Sequence, residues 1–274
     1  MSADHEAIDG VLTGVHPLHA QLYLGTSGWS YDDWRGSFYP PGTPANQRLG
    51  FYAAQYQTVE INSTFYGMPS LKTVQSWRAQ SPPGFVFAAK FPRAITHQAR
   101  LVNCGGLATT FIETMQELGE RLGPLLIQLP PSMSADAFDD LGRFLEGLPD
   151  GLIYAVEVRH RSWLTEEFAD LLKRWQVSMV LTCGEHMGRF WRATSRVAYI
   201  RWLGVHDAFE NYSSPQAERD EEITWWAQRM AHFLDRGGTI FGYANNNYEG
   251  FSPRTVRRIE AELALQLDAR SAAG

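Results

Sequence analysis

Eight times along this chain a short apolar run with strand character is followed by a polar loop and then by apolar residues at three- and four-residue spacing. The runs fall at residues 22–25, 58–62, 85–90, 125–129, 154–158, 178–182, 197–202 and 239–243, and most are rich in β-branched or aromatic residues. No other feature narrows the fold so far. Regular alternation of strand and helix requires a parallel sheet, because each crossover must return the chain to the end where the next strand begins. Both an open doubly wound sheet and a closed barrel satisfy that requirement. Eight units in 274 residues suit a closed barrel of about 250 residues, whereas an open nucleotide-binding sheet carries a G-x-G-x-x-G turn after its first strand. Gly25-Thr26-Ser27-Gly28 lacks that spacing. The expected fold is α/β, a single TIM-type (β/α)8 barrel over residues 21–268, with an arm at 1–20 and a tail at 269–274.

The helical stripes agree with this reading. Leu49, Tyr52, Ala53 and Tyr56 line the first, and Leu71, Val74 and Trp77 the second. Phe111, Met115, Leu118 and Leu122 line the third, which Thr110 and Glu113 are expected to open as a capping box. The fourth carries Phe138, Leu141, Leu145 and Leu148, and the fifth Phe168, Leu171, Leu172 and Trp175. A short sixth helix is expected at 185–192. Ile223, Trp226, Met230, Phe233 and Leu234 form the seventh face before Gly237-Gly238 ends it. The last starts at Ser252-Pro253, a cap followed by proline at the first helical position, and carries Val256, Ile259, Leu263 and Leu267. Trp77, Trp175 and Trp226 on these helices read as core.

Composition removes several classes of function. Thirty acidic against 24 basic residues, a net charge of −6, leave no polycationic surface for nonspecific nucleic-acid or anionic-membrane binding. Two cysteines, Cys104 and Cys183, cannot build a disulfide framework, a zinc knuckle or a C-x-x-C pair. Without a secretion signal or a run of about 18 apolar residues, the expected location is the cytoplasm, with no membrane partner. No H-E-x-x-H, G-x-S-x-G or P-loop motif occurs, so no organic cofactor and no dedicated metal centre is indicated. Glu60, Glu157 and a histidine could still hold a divalent cation.

In a barrel of this kind the chemistry stands at the carboxyl ends of the strands and in the loops that follow. Val59-Glu60-Ile61-Asn62 puts Glu60 and Asn62 on one face, since side chains alternate along a strand. Strand three ends at Lys90, with His97 in its loop, and strand four ends at Gln128. Val156-Glu157-Val158-Arg159-His160 puts Glu157 and Arg159 on one face, with His160 and Trp163 just beyond. Strand seven offers Arg201, strand eight runs towards Asn245, and strand one opens onto Ser27, Trp29 and Tyr31. Charges buried inside apolar strands must pair, hydrogen-bond or meet a ligand. A structural bridge from Glu157 to Arg201 or Lys90 competes with a ligand site for these residues.

The ordered motifs Gly25-Thr26-Ser27-Gly28-Trp29, Phe38-Tyr39-Pro40, Val59 through Tyr66, Phe85 through Lys90, Ile95-Thr96-His97, Gln128-Leu129-Pro130-Pro131, Glu157 through Trp163 and Tyr243-Ala244-Asn245-Asn246 resemble those of the YecE-like family, domain of unknown function seventy-two. The resemblance implies a TIM-type barrel and a common pocket lined by Glu60, Asn62, Lys90, His97, Gln128, Glu157, Arg159, His160 and Asn245. It implies no reaction. Thr182-Cys183-Gly184 stands where similar proteins are expected to carry an aspartate, and Ala244 stands in place of an aromatic residue.

The leading expectation is a hydrolase-like enzyme for a small polar or anionic ligand. In it Glu60, Glu157, His97 and His160 are the catalytic candidates, and Trp29, Asn62, Lys90, Gln128, Arg159, Trp163, Arg201 and Asn245 bind. One alternative is a metal-assisted phosphodiesterase acting on nucleic acid, resembling barrel endonucleases. The other is a noncatalytic barrel that holds its ligand structurally.

Overall fold

The computed structural model describes residues 21–184 and 187–272. The expected arm at 1–20 lies outside the described residues. Eight strands, β1 (Gln21–Thr26), β2 (Thr58–Ile61), β3 (Val86–Lys90), β4 (Leu122–Gln128), β5 (Tyr154–Glu157), β6 (Ser178–Gly184), β7 (Val197–Gly204) and β8 (Thr239–Ala244), stand close to the runs read from the sequence. They pair in parallel in the order β1-β8-β7-β6-β5-β4-β3-β2.

Between and after the strands lie α1 (Arg48–Ala53), α2 (Ser63–Tyr66), α3 (Leu71–Gln80), α4 (Gly105–Gln116), α5 (Phe138–Glu146), α6 (Glu166–Arg174), α7 (Asp220–Asp235), α8 (Asn246–Glu249) and α9 (Ser252–Ser271). Side-chain caps start three of them: the Ser70 hydroxyl accepts from the Thr73 N–H, that of Thr165 from the Phe168 N–H, and the Asn245 side-chain oxygen from the Asn247 N–H.

Four expectations need correction. Helix α4 begins at Gly105, so Thr110 and Glu113 lie inside it, and the Thr110 hydroxyl donates back to the Gly106 carbonyl instead of capping. After β6 the described residues 187–196 contain no helix, and the first two positions of the expected sixth helix lie outside the described residues. Trp175 follows α6 with 38% of its surface exposed, so it is not core. Helix α9 continues to Ser271, past residue 269 where a tail was expected.

β1 and β2 end the strand order, and the barrel closes where they meet. The Gly28 N–H donates to the Glu60 carbonyl at 2.9 Å, beside a single bridge from Ser27 to Glu60. Below it a side chain replaces the missing ladder. The Tyr52 hydroxyl, reaching in from α1, accepts from the Thr26 N–H at 2.9 Å and donates to the Thr58 carbonyl at 3.1 Å. Gly25 lets the strands approach, since a Cβ there would meet the Thr58 carbonyl oxygen at 2.1 Å.

Alternation along the strands divides the apolar residues into two cores. Ala88, Leu126, Ala155, Val180, Val197, Tyr199, Phe241 and Tyr243 fill the barrel, and a larger set packs the strands against the helices. Small residues on β3 and β5 face the rings of β7 and β8, with Tyr199 and Tyr243 centroids 5.2 Å apart. The next inward position on most strands is polar, and there the packed interior gives way to the mouth.

Tyr52→Phe tests the seam. It strands the Thr26 N–H and the Thr58 carbonyl in a buried place, so the expected loss is about 1–3 kcal/mol in urea denaturation. A variant as stable as the native chain would show that the seam holds without the hydroxyl.

Candidate active site

The strands deliver their final inward side chains to one cavity of about 500 Å3 at the carboxyl end of the barrel. β3 brings Lys90, β4 Gln128, β5 Glu157, β6 Thr182 and β7 Arg201, while Asn62, Arg159 and Asn245 follow the ends of β2, β5 and β8. Glu60 on β2 sits directly beneath, fully buried.

Arg201 organises this layer. Its Nη1 donates to Glu157 Oε2 at 2.5 Å and its Nη2 to Glu60 Oε2 at 2.8 Å, while its Nε lies 2.8 Å from Glu60 Oε1. The three side chains are 4% exposed or less. Glu60 also accepts from the Tyr199 hydroxyl at 2.8 Å, the Ser27 hydroxyl at 2.8 Å and the Asn62 amide at 3.1 Å. Glu157 accepts from Arg159 Nε at 2.7 Å.

These partners decide the protonation states. Burial raises both carboxyls, but Arg201 outweighs it and holds Glu60 below the usual carboxylate range, helped by Tyr199 and Ser27. Arg201, Arg159 and Lys90 bring Glu157 down to about 2. Burial works against the charge of Arg201, yet Glu157 and Glu60 raise its affinity for the proton above the ordinary value. All three stay ionised across the physiological range.

Lys90 is placed differently. Its Nζ donates to Gln128 Oε1 at 2.5 Å and lies 3.8 Å from the centre of the Phe65 ring. Burial and the nearby Arg201 lower its pKa to about 7, against the pull of Glu157. Burial, with Lys90 and Arg159 next in effect, lowers His97 to about 4, so its imidazole is neutral at pH 7. His97 stands on a single π-helical turn, Ala94–Gln98, its Nδ1 2.8 Å from the Thr96 hydroxyl and its Nε2 3.5 Å from the Gln128 amide nitrogen. The Thr182 hydroxyl, 4% exposed and lining the cavity, has no hydrogen-bond partner among the described residues.

Of the residues singled out in the sequence, Asn62, Lys90, His97, Gln128, Glu157, Arg159, Arg201 and Asn245 line this cavity, with Glu60 bonded to them. Three stand elsewhere. His160 is exposed and its Nδ1 accepts from the Ser162 N–H at the start of a 3-10 turn. Trp163 is fully buried, its indole donating to the Met133 carbonyl at 2.7 Å. Trp29 packs edge-on against Trp77 beside α3, in a separate surface depression. Sequence reasoning passed over Tyr199, although it lies two residues before Arg201 and so on the same face of β7. It also passed over Phe65 and Tyr66, which the single turn of α2 carries to the rim immediately after β2.

A parallel barrel of eight strands, covered by helices and ending in a charged mouth, places this chain among the TIM-type α/β barrels. Within that class it belongs to the DUF72 family, whose model, described as "Protein of unknown function DUF72", matches residues 23–273. It is similar to the UPF0759 protein YecE of Escherichia coli (strain K12), 36% identical over 144 residues, which cover 51% of this chain and 48% of that protein. The UPF0759 protein YunF of Bacillus subtilis (strain 168) is 25% identical over 154 residues, 54% of each chain. The chain thus spans about half the length of these relatives. Among solved structures, a DUF72 family protein of Thermotoga maritima superposes with a TM-score of 0.75 at 27% identity, covering 89% of this chain and 99% of its own. One from Enterococcus faecalis, at 20% identity and a TM-score of 0.73, shares the fold. No helix among the described residues is long and apolar enough to cross a membrane.

Arg201→Met leaves Glu60 and Glu157 buried without their shared counter-charge, and the expected loss at pH 7 is about 3–5 kcal/mol in urea denaturation. The pH dependence carries the sign. The native carboxylates contribute stability that is complete above the unfolded glutamate value of about 4.3. That contribution is lost as pH falls towards about 2 for Glu157. In the variant the stranded carboxyls take up protons more readily, so the native and variant stability curves converge on acidification. Parallel curves between pH 7 and 4 would contradict this account of the triad.

Proposed function

We propose that this barrel is an enzyme acting on a small anionic substrate held in its mouth, and that the group exchanging the proton is Lys90 and not a carboxylate. One observation carries the reading: the buried Lys90 amine in the cavity wall has its proton affinity brought down to about 7, whereas Glu157 is held at about 2 and His97 at about 4. The hydrolase-like chemistry expected of Glu60 or Glu157 finds less support. A glycosidase needs one carboxyl whose proton affinity is raised, and both of these are lowered by Arg201.

Electrostatics supports the choice of an anion. Arg201 balances one of the two glutamates, and the second faces Arg159, which remains 30% exposed, and Lys90. With Lys90 protonated, the mouth carries three positive side chains against two negative ones. The unpartnered Thr182 hydroxyl offers a further contact. A divalent cation, as a phosphodiesterase would use, would have to draw Glu60 and Glu157 away from Arg201. Among the described residues no three His, Cys, Asp or Glu side chains gather to hold one.

The chain has only three lysines, Lys72, Lys90 and Lys173, so each can be followed by carbon-13 NMR after reductive methylation or selective labelling. One of the three signals should titrate near 7, and that one should vanish in Lys90→Met. Inorganic phosphate should raise the melting temperature at pH 6, and Arg159→Ala should remove the rise. Titration of Lys90 near the free lysine value of about 10.4, together with no effect of phosphate, would overturn the proposal.

A further inference from the structure

We propose that Lys90 is a covalent catalyst, its amine condensing with the carbonyl of an aldehyde or ketone that also bears a carboxylate or phosphate, to form an imine in the barrel mouth. The inference rests on the preceding reading of the cavity as an anion site and adds the chemistry that the amine performs there.

The first argument is the choice of residue. Of 24 basic residues only three are lysines, and Lys72 and Lys173 stand on the outer helices α3 and α6. Lys72 is exposed, and Lys173 donates to Asp170 at 3.0 Å. Arginine would supply charge equally well to this mouth, as it does at Arg159 and Arg201, but a guanidinium does not lose its proton and forms no imine. An amine is therefore the chemically distinct choice at the one position where the chain departs from arginine inside the barrel.

The second argument is the setting of Nζ. Its side chain is 8% exposed and lines a cavity of about 500 Å3. Among the described residues no carboxylate is paired with it, the two nearby glutamates being bonded to Arg201 and Arg159. Gln128 Oε1 accepts one of its hydrogens and fixes its position, while the Phe65 ring shields one side. Desolvation and neighbouring cations are the conditions that leave a lysine amine unprotonated and nucleophilic. The guanidinium of Arg159 stands by for the anionic end of the substrate, and the free Thr182 hydroxyl for its remaining oxygen atoms.

The step balances without any oxidant or reductant. The nitrogen lone pair of neutral Lys90 attacks the carbonyl carbon, a C–N bond forms, and the π pair moves to oxygen. A proton passes from nitrogen to that oxygen to give the carbinolamine. The hydroxyl then takes up a proton from water and leaves as water, as the nitrogen lone pair completes the C=N bond of the iminium ion. Addition of water reverses the sequence and frees the enzyme.

The test is reductive trapping. The protein is incubated at pH 7 with sodium cyanoborohydride and, separately, with glyoxylate, pyruvate, dihydroxyacetone phosphate and uncharged acetaldehyde, and adducts are mapped by peptide mass spectrometry. One adduct per chain is expected, on Lys90, formed at least tenfold faster than on Lys72 or Lys173, and faster for an anionic carbonyl than for acetaldehyde. The carboxylate and phosphate arms separate the two sources of charge. Lys90→Arg should abolish the fast adduct while keeping the native melting profile, and Arg159→Met should slow the anionic carbonyls but not acetaldehyde. Equal labelling of all three lysines, in a protein that still binds phosphate and in which Lys90 still titrates near 7, would overturn the imine and leave the proton-exchanging role standing.

Discussion

One guanidinium shared by two carboxylates holds the mouth of this barrel together. Arg201 on β7 reaches Glu157 on β5 and Glu60 on β2, so that three strands far apart in the sequence converge on one group. Each of the three charges would be costly to bury alone, and removing any partner would leave another uncompensated. Their mutual bonds, completed by Tyr199, Ser27, Asn62 and Arg159, satisfy the oxygen atoms of both glutamates. Glu60 also links this network to the barrel seam, since its backbone carbonyl accepts from the Gly28 N–H. The packing of the rim and the closure of the sheet are therefore coupled through one residue.

The division of labour inside the mouth follows from that network. Because both carboxylates are committed to arginine, neither is free to change its protonation near neutral pH. Burial first, and then the same Arg201 that lowers the carboxylates, bring Lys90 down as well; the guanidinium favours the charged form of the glutamates and disfavours that of the lysine. The ion cluster thus adds to burial in shaping the proton affinity of its neighbour. His97, neutral on its π-helical turn, adds a polar wall without further charge.

Much of this arrangement was legible from spacing. Period-two alternation puts Glu60 with Asn62, and Glu157 with Arg159, on inward faces, and the strand ends by themselves single out Lys90, Gln128 and Arg201. The pairing of Arg201 with Glu60, 141 residues apart, was not legible, because it depends on the width of the barrel and on which side chains meet across it. The tryptophans misled for a related reason. Trp29 and Trp163 follow strand ends, as a ligand-stacking ring would, yet each found apolar neighbours in the protein, and Trp163 a carbonyl for its indole. His160 was lost to the mouth because its ring satisfies a backbone N–H locally. The expected capping box at Thr110 failed because Gly105 and Gly106 begin the helix earlier, which leaves those side chains within the helix.

The sequence by itself determined the architecture and the composition of the rim. Eight strand–helix alternations leave a parallel barrel as the economical fold, and alternation within each strand dictates which residues reach its open end. Only the tertiary structure decided which of those residues neutralise one another and which is left with its proton held loosely. Periodicity is a local property of the backbone, whereas ion pairing depends on distances of a few ångströms between side chains from different strands and on how far each is removed from water. The guanidinium that silences Glu60 and Glu157 and the burial that loosens the proton on Lys90 exist only once the barrel has closed around them.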